Sequence, residues 1–302
     1  MDWTIVNTKN EQEVEKKFTE LFNKYECNYK FISPETKSVL ISDVNQFNDI
    51  IQNINNILIL DANRFTKSPS FMYLLGYLKG KNAGVICSGL KNDIPFEFDG
   101  CTVFKSTEEL YQYLEGKMPE YIDNEKKALA VKKLAEKGID FTVEAFAEQV
   151  EHGRLENCRI FVEAGMDVNS VNKNGVPMIC LAARHASKAL VKFLVDKGAH
   201  IDSVSKDRGY SAVMDAVWKS NVDIVEFLCK KNANLDFISR DGQSVLVLAV
   251  GGPDINICRI LLKYGANPYI KDKMGMSAWD YAVLFKQEDF IKLVEEAKKS
   301  NE

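Results

Sequence analysis

The chain has no apolar run long enough to cross a bilayer: its longest hydrophobic stretches are strand-sized, against the roughly 20 residues a spanning helix needs. It opens on Met1-Asp2-Trp3-Thr4, with neither the basic nor the apolar region of a secretory leader, and the expectation is a cytoplasmic protein. There is no surplus of cations either. Lys and Arg number 39 against 43 Asp and Glu, a net charge of −4, which argues against nucleic acid as a partner, since phosphates call for a concentrated basic face. The seven cysteines form no C-x-x-C pair, and most sit inside apolar runs such as Val85-Ile86-Cys87 and Phe227-Leu228-Cys229. Such thiols suit the buried positions of a protein in a reducing compartment. Only three histidines occur, His152, His185 and His200, none beside another His or a Cys at ligand spacing, so neither metal nor cofactor is expected. Gly251-Gly252-Pro253 follows no strand and precedes no Gly-Lys-Ser/Thr, which excludes a phosphate-cradling loop there.

What the sequence does contain is repetition. Glycines 175, 209, 242 and 275 recur at intervals of 34, 33 and 33 residues, and seven residues after each stands an alanine, Ala182, Ala216, Ala249 and Ala282. Further along each unit an apolar pair recurs (Phe193-Leu194, Phe227-Leu228, Ile260-Leu261, Leu293-Val294), then a turn signal such as Lys197-Gly198-Ala199 or Tyr264-Gly265-Ala266. A further unit upstream, Phe146 to Asn174, has Thr142 where the leading glycine is expected. On these residues, and most closely on Gly198-Ala199-His200-Ile201-Asp202 and Gly265-Ala266-Asn267-Pro268, the stretch 141–297 resembles the ankyrin repeat family, in about five units. The resemblance implies an all-α solenoid of helix pairs, each too small to bury its apolar face without its neighbours.

The family's Thr-Pro-Leu-His helix start is altered here. Ser211, Ser244 and Ser277 are expected to cap the inner helices through their hydroxyls, Pro177 suits a first helical turn, and the missing histidines put the family's inter-repeat hydrogen bonds in question. Stacked repeats leave a concave face free of packing duty, so the expected partner is another protein. Candidate contacts are Arg208 and Arg240 on the turn tips, Tyr210, Gln243 and Met276 just after the repeat glycines, and Arg184 and Trp218 nine residues after them. Trp218 and Tyr210 carry a second reading, as side chains packed between repeats.

Residues 1–118 read as an α/β domain. Glu11–Tyr25 has Val14, Phe18 and Leu21 at helical spacing, and strand-like runs at 39–42, 57–61, 84–87 and 101–104 alternate with helical ones at 46–55, 68–79 and 107–116. Runs apolar on both faces and separated by helices predict a doubly wound parallel sheet. Met118-Pro119 is expected to end the last helix of that domain, with 119–140 a linker and a capping helix containing Leu129, Val131 and Leu134.

Within the α/β domain, Asp61-Ala62-Asn63-Arg64-Phe65, Ser68-Pro69-Ser70, Gly76-Tyr77 and Gly80-Lys81 are similar to nucleoside 2-deoxyribosyltransferases and their glycohydrolase relatives. The resemblance implies a nucleoside or nucleotide held by Asp61, Asn63 and Ser70, although Asp61 reads equally as a loop-start cap. The family's nucleophilic Glu falls at Leu74, which has no lone pair with which to shield an oxocarbenium-like sugar. The combined expectation is a non-catalytic protein-binding chain whose α/β domain is a degenerate nucleoside-binding or scaffold unit. The competing reading is an N-glycosidase or deoxyribosyltransferase that uses the repeats for targeting.

Overall fold

A computed structural model describes residues 2–7, 12–32, 56–60, 62, 77, 78, 80, 83–89 and 101–299. Asp61, Asn63, Ser70 and Leu74 lie outside the described residues, as do the expected strand at 39–42, the expected helix at 46–55 and most of 68–79. The chain divides into two compact units, Met1–Glu125 and Lys126–Glu302.

The first unit holds a five-stranded parallel sheet of β1 (Asp2–Asn7), β2 (Asn28–Ile32), β3 (Asn56–Leu60), β4 (Gly84–Ser88) and β5 (Cys101–Phe104), in the order β2-β1-β3-β4-β5. Strands β3, β4 and β5 stand where the sequence predicts them, while β1 and β2 are additions. Trp3, Ile5, Leu58, Leu60 and Ile86 point to one face. There they pack with Phe18, Leu21 and Phe22 of α1 (Gln12–Lys24) and with Leu110, Leu114 and Met118 of α2 (Thr107–Glu136). Val6, Ile57, Ile59, Val85 and Cys87 point the other way and are buried too. Burial on both faces is why these strands read as unbroken apolar runs.

Helix α2 corrects the expected break at Pro119. The proline sits inside a continuous 30-residue helix, on an exposed side, with Met118 buried beside it and Tyr121 packed on the same core. A proline inside a helix costs about 3 kcal/mol, because it deletes one backbone bond and crowds the preceding turn. Here the burial of Leu114, Met118 and Tyr121 offsets that cost. Of the apolar residues expected to cover the first repeat, Leu134 is buried, whereas Leu129 is exposed.

The second unit is five helix pairs: α3 (Val143–Glu151) with α4 (Leu155–Glu163), α5 (Met178–Arg184) with α6 (Lys188–Asp196), α7 (Ala212–Trp218) with α8 (Val222–Lys230), α9 (Val245–Val250) with α10 (Ile255–Lys263), and α11 (Ala278–Leu284) with α12 (Glu288–Lys299). Ala182, Ala216, Ala249 and Ala282 are all buried between neighbouring inner helices, and one apolar core runs from Leu134 to Val294. Thr142 is the N-cap of α3 and accepts from the Ala145 N–H. It is therefore the counterpart of Pro177, Ser211, Ser244 and Ser277, which hold the same position in the later repeats. The counterpart of the repeat glycine, two residues earlier, is Asp140 and not Thr142.

The caps differ from one repeat to the next. Ser244 accepts from the Val247 N–H, and Ser277 forms a full capping box with Asp280. The buried Ser211 hydroxyl caps nothing and has no partner, contrary to expectation. Pro177 is extended, with ψ 148, so it precedes the helix rather than opening its first turn. Beyond each outer helix a second ladder joins neighbours: Asn169 Oδ1 accepts from the His200 N–H, Asp202 Oδ1 from Asn234, and Asp236 Oδ1 from Asn267.

Candidate protein-binding face of the repeats

Four β-turn fingers precede the inner helices of the last four repeats. Each is closed by a backbone bond from Asn172 to Val176, Ser205 to Tyr210, Ser239 to Gln243 or Asp272 to Met276, and by a second from the repeat glycine N–H back to the carbonyl of the base residue. A short polar side chain stands at the base of every finger. Asn172 and Asp272 each accept two backbone N–H groups through Oδ1, and Ser205 and Ser239 each accept one through Oγ, which fastens the loop to its own backbone. The repeat glycines leave each finger at positive φ, between 68° and 85°. The fingers also press on each other. A Cβ added to Gly209 would fall 2.7 Å from Arg240 Cβ and 2.8 Å from its backbone nitrogen. Only glycine fits a left-handed position this close to a neighbouring backbone.

The finger Ser205–Tyr210 is one residue longer than the others. Its extra length brings Asp207 to Arg184, the last residue of α5 in the preceding repeat. Arg184 Nη1 donates to Asp207 Oδ2 at 2.7 Å, while Nε and Nη2 make a bidentate pair with Asp215 on α7, each at 3.2 Å. Asp215 is wholly buried and the Arg184 side chain is 13% exposed. Burial opposes charge on the arginine, but its two carboxylate partners win and hold its pKa above the ordinary value. Burial also raises the Asp215 carboxyl against the pull of Arg184. In Asp207, which is more exposed, the opposing burial is outweighed by bonds from Arg184, the Arg208 N–H and Ser205, and its pKa falls to about 2.

The structure brings some of the predicted contacts to the surface and draws others inward. Arg208 and Arg240 are exposed on finger tips, and Trp218 is 57% exposed at the end of α7. Gln243 and Met276 are half-buried. Tyr210 is a correction: it is buried, and its hydroxyl donates to Gln243 Oε1 of the next finger at 3.1 Å. Arg184 is the other correction, since its guanidinium is spent on Asp207 and Asp215 in the neighbouring repeat. Exposed apolar residues that the sequence reading did not single out are Met274, Val283 and Phe285, beside Leu284 in the last repeat. Their signal is positional: each stands on a finger tip or at the end of an inner helix.

The missing family histidine is partly replaced. Cys180 occupies its position on α5, and the thiol donates to the Ser203 and Tyr210 carbonyls of the following repeat. Burial raises its pKa, which keeps it the protonated donor. The histidines His152, His185 and His200 are exposed, and no group of His, Cys, Asp or Glu among the described residues could hold a metal ion. No helix among the described residues is long and apolar enough to cross a membrane.

Equal helix pairs, glycine-closed fingers and one continuous inter-repeat core define a helical repeat array. Residues 146–273 are ankyrin repeats: the family model for ankyrin repeats in three copies matches residues 146–239, and that for a single ankyrin repeat matches 241–273. Ankyrin repeats mediate protein–protein binding, which indicates a protein-interaction role. An ankyrin repeat-containing protein of Treponema pallidum (strain Nichols) is 29% identical over 81% of this chain and 83% of its own length. That overlap is longer than the whole repeat unit, so the similarity reaches into the α/β unit. Mouse ankyrin repeat and SAM domain-containing protein 6 is 32% identical over 31% of this chain, and human palmitoyltransferase ZDHHC13 is 32% identical over 25%. The chain spans 11% and 12% of those two proteins.

Proposed function

We propose that the chain is a non-catalytic binding protein whose fingers and inner-helix ends grip another protein, with Arg208, Trp218, Arg240, Gln243 and Met276 among the contacts. The observation that carries this reading is Trp218. A large aromatic side chain left 57% exposed on a rigid helix end, 6.5 Å from the Tyr210 ring, contributes little to folding and is typical hot-spot material. The finger loops around it are tied to their own backbone, so binding there orders little chain and wastes little affinity. Arg184 and Tyr210 serve this face by holding neighbouring fingers in place.

The test is cross-linking of captured partners with an amine-reactive reagent, read by mass spectrometry. Partners should join to Lys206, Lys219, Lys273 and Lys286 of the groove rather than to Lys192 and Lys263 of the outer helices. Retention should be lost in Arg208→Glu/Trp218→Ala/Arg240→Glu with an unchanged melting temperature. Links confined to the outer helices, with full retention by the variant, would refute the reading.

A second reading concerns the α/β unit, as a nucleoside or nucleotide binder that does not turn its ligand over. Support comes from the strand order, which reverses direction between β1 and β3. Ligands of open parallel sheets sit beyond the carboxyl ends at such a reversal, and Asp61 directly follows β3. Leu74 in place of the family's nucleophile speaks against catalysis. A nucleoside and nucleotide panel in a thermal-shift assay tests this: a rise in melting temperature abolished by Asp61→Ala supports it, and no rise with any ligand removes it.

A further inference from the structure

The four finger tips carry a cation at the same structural position. Lys173, Lys206, Arg240 and Lys273 each directly follow the residue that closes the finger, Asn172, Ser205, Ser239 and Asp272. All four are exposed, and none makes a side-chain ion pair among the described residues. The stems of three are laid along the finger before them, where a Cβ at Gly175 would lie 2.8 Å from Lys206 Cβ, at Gly209 2.7 Å from Arg240 Cβ, and at Gly242 3.2 Å from Lys273 Cβ. That packing orders the stems and leaves the charged ends to solvent.

Carboxylates on the same ridge are mostly committed. Asp207 is bound by Arg184, and Asp272 by the Tyr281 hydroxyl and two backbone N–H groups. Asp241 is exposed beside the cations and, among the described residues, makes no ion pair. Arg208, on the longer finger, adds one more positive charge. The first repeat is of mixed charge: Asp140, Glu144, Glu148 and Glu151 line a hollow of about 840 Å³ together with Lys137, Arg154 and Lys173, whose N–H donates to Glu144. The free positive charge therefore belongs to the three later fingers, on a chain whose net charge is −4.

We infer that the partner presents an extended acidic segment to this ridge, with carboxylates three residues apart that meet Lys206, Arg240 and Lys273 in turn. The inference rests on the protein-binding reading and deepens it. Its spacing follows from geometry: neighbouring packed helices, and with them the fingers, lie about 8–10 Å apart. A chain in the polyproline II conformation advances about 3.1 Å per residue with three residues per turn, so every third side chain faces the ridge and reaches a new finger. The carboxylates of the first repeat offset Lys173, so the segment runs over the three later fingers. Exposed Trp218 and Leu284 lie at the ends of inner helices α7 and α11 and can receive apolar residues of the same segment. Nucleic acid fits less well, because a single row of three cations meets few of the closely spaced phosphates of a duplex.

The experiment selects an unbiased display library of 16-residue peptides on the full chain, then measures the enriched peptides and oligothymidylate by fluorescence anisotropy. Enriched sequences should carry Asp or Glu at three-residue intervals. Their affinity should fall roughly tenfold or more in Lys206→Glu/Arg240→Glu/Lys273→Glu, and weaken as salt rises, as expected for charge-steered contacts. Lys192→Glu/Lys263→Glu on the outer helices should leave it unchanged. Enrichment of neutral or apolar peptides that still depend on Trp218 would overturn the acidic partner while leaving the groove reading intact. Oligothymidylate bound more tightly than every peptide would overturn it in favour of nucleic acid. No enrichment at all would overturn both.

Discussion

Replacing Arg184 by methionine is the sharpest probe of how the repeats hold together. The substitution keeps the length of the stem and removes both charge pairs, leaving Asp215 wholly buried with no ion-pair partner and only the longer-range field of Arg208. Breaking a buried pair in this way costs about 3–5 kcal/mol at neutral pH. The lost bond to the more exposed Asp207 adds less than about 1 kcal/mol. With a urea dependence of about 2 kcal/mol per molar, the unfolding midpoint followed by far-UV circular dichroism should fall by about 2 M. The pH profile is equally diagnostic. Without Arg184 the already raised pKa of Asp215 climbs further above its unfolded value of about 3.9. A group raised in the folded state favours folding fully below the unfolded value and loses that contribution as pH climbs through the folded one. The variant should therefore be least impaired near pH 4 and most impaired at pH 7. Asp207 in the wild type runs in the other direction: its depressed carboxyl stabilises above about pH 3.9 and stops doing so as pH falls towards 2. Leu181 and Leu248 occupy the position of Asp215 in the neighbouring repeats, so Arg184→Met/Asp215→Leu should recover most of the loss. A loss under about 1 kcal/mol at pH 7, a loss independent of pH, or a double variant no better than the single one would refute the account.

Other substitutions separate the remaining contributions. Gly209→Ala combines the strain of a left-handed alanine, about 1–2 kcal/mol, with a clash against Arg240, so it should destabilise more than Gly198→Ala, whose added Cβ meets nothing. Urea titration of both variants checks the order. Ser277→Ala removes a capping box and should cost about 1 kcal/mol, whereas Ser211→Ala deletes an unpartnered buried hydroxyl and should be neutral or stabilising. Equal losses at both sites would contradict this. Burial lifts the thiols of Cys158 and Cys258 to about 12 and that of Cys229 to about 11, so they should resist a thiol reagent at pH 7.5 and react once urea unfolds the chain. Rapid modification of native protein would show that these cores open locally.

The repeats were legible because their determinants are local and recur. Glycines 175, 209, 242 and 275 mark left-handed exits from fingers, and the alanines seven residues on mark close helix approach, so each unit vouches for the next. The offset of Thr142 was misjudged because the spacing counts residues, whereas the first interval is longer than the later ones. Arg184 pairs with Asp215, 31 residues on, and with Asp207 in a finger one residue longer than the others, which no pattern within one repeat announces. The inward turn of Tyr210 depends in the same way on Gln243, a residue of the next unit. In the α/β unit the buried runs of β3 and β4 stand out, but β1 and β2 mix polar residues (Thr4, Asn7, Asn28, Lys30) with apolar ones and form no unbroken apolar run. Pro119 was read as a stop because the local penalty is evident in sequence, while the tertiary packing of Met118 and Tyr121 that overcomes it is not.

The single residue by which the finger Ser205–Tyr210 exceeds the others has a bearing on how such an array can change over time. Tandem units usually multiply or vanish by unequal exchange, since any copy can follow any other. Here that freedom is curtailed at one junction: the unit bearing Arg184 must be succeeded by the one bearing Asp207 and Asp215. Excising, duplicating or shuffling either member alone would strand an ionised side chain inside the stack, so these two units have to travel through evolution as an inseparable block.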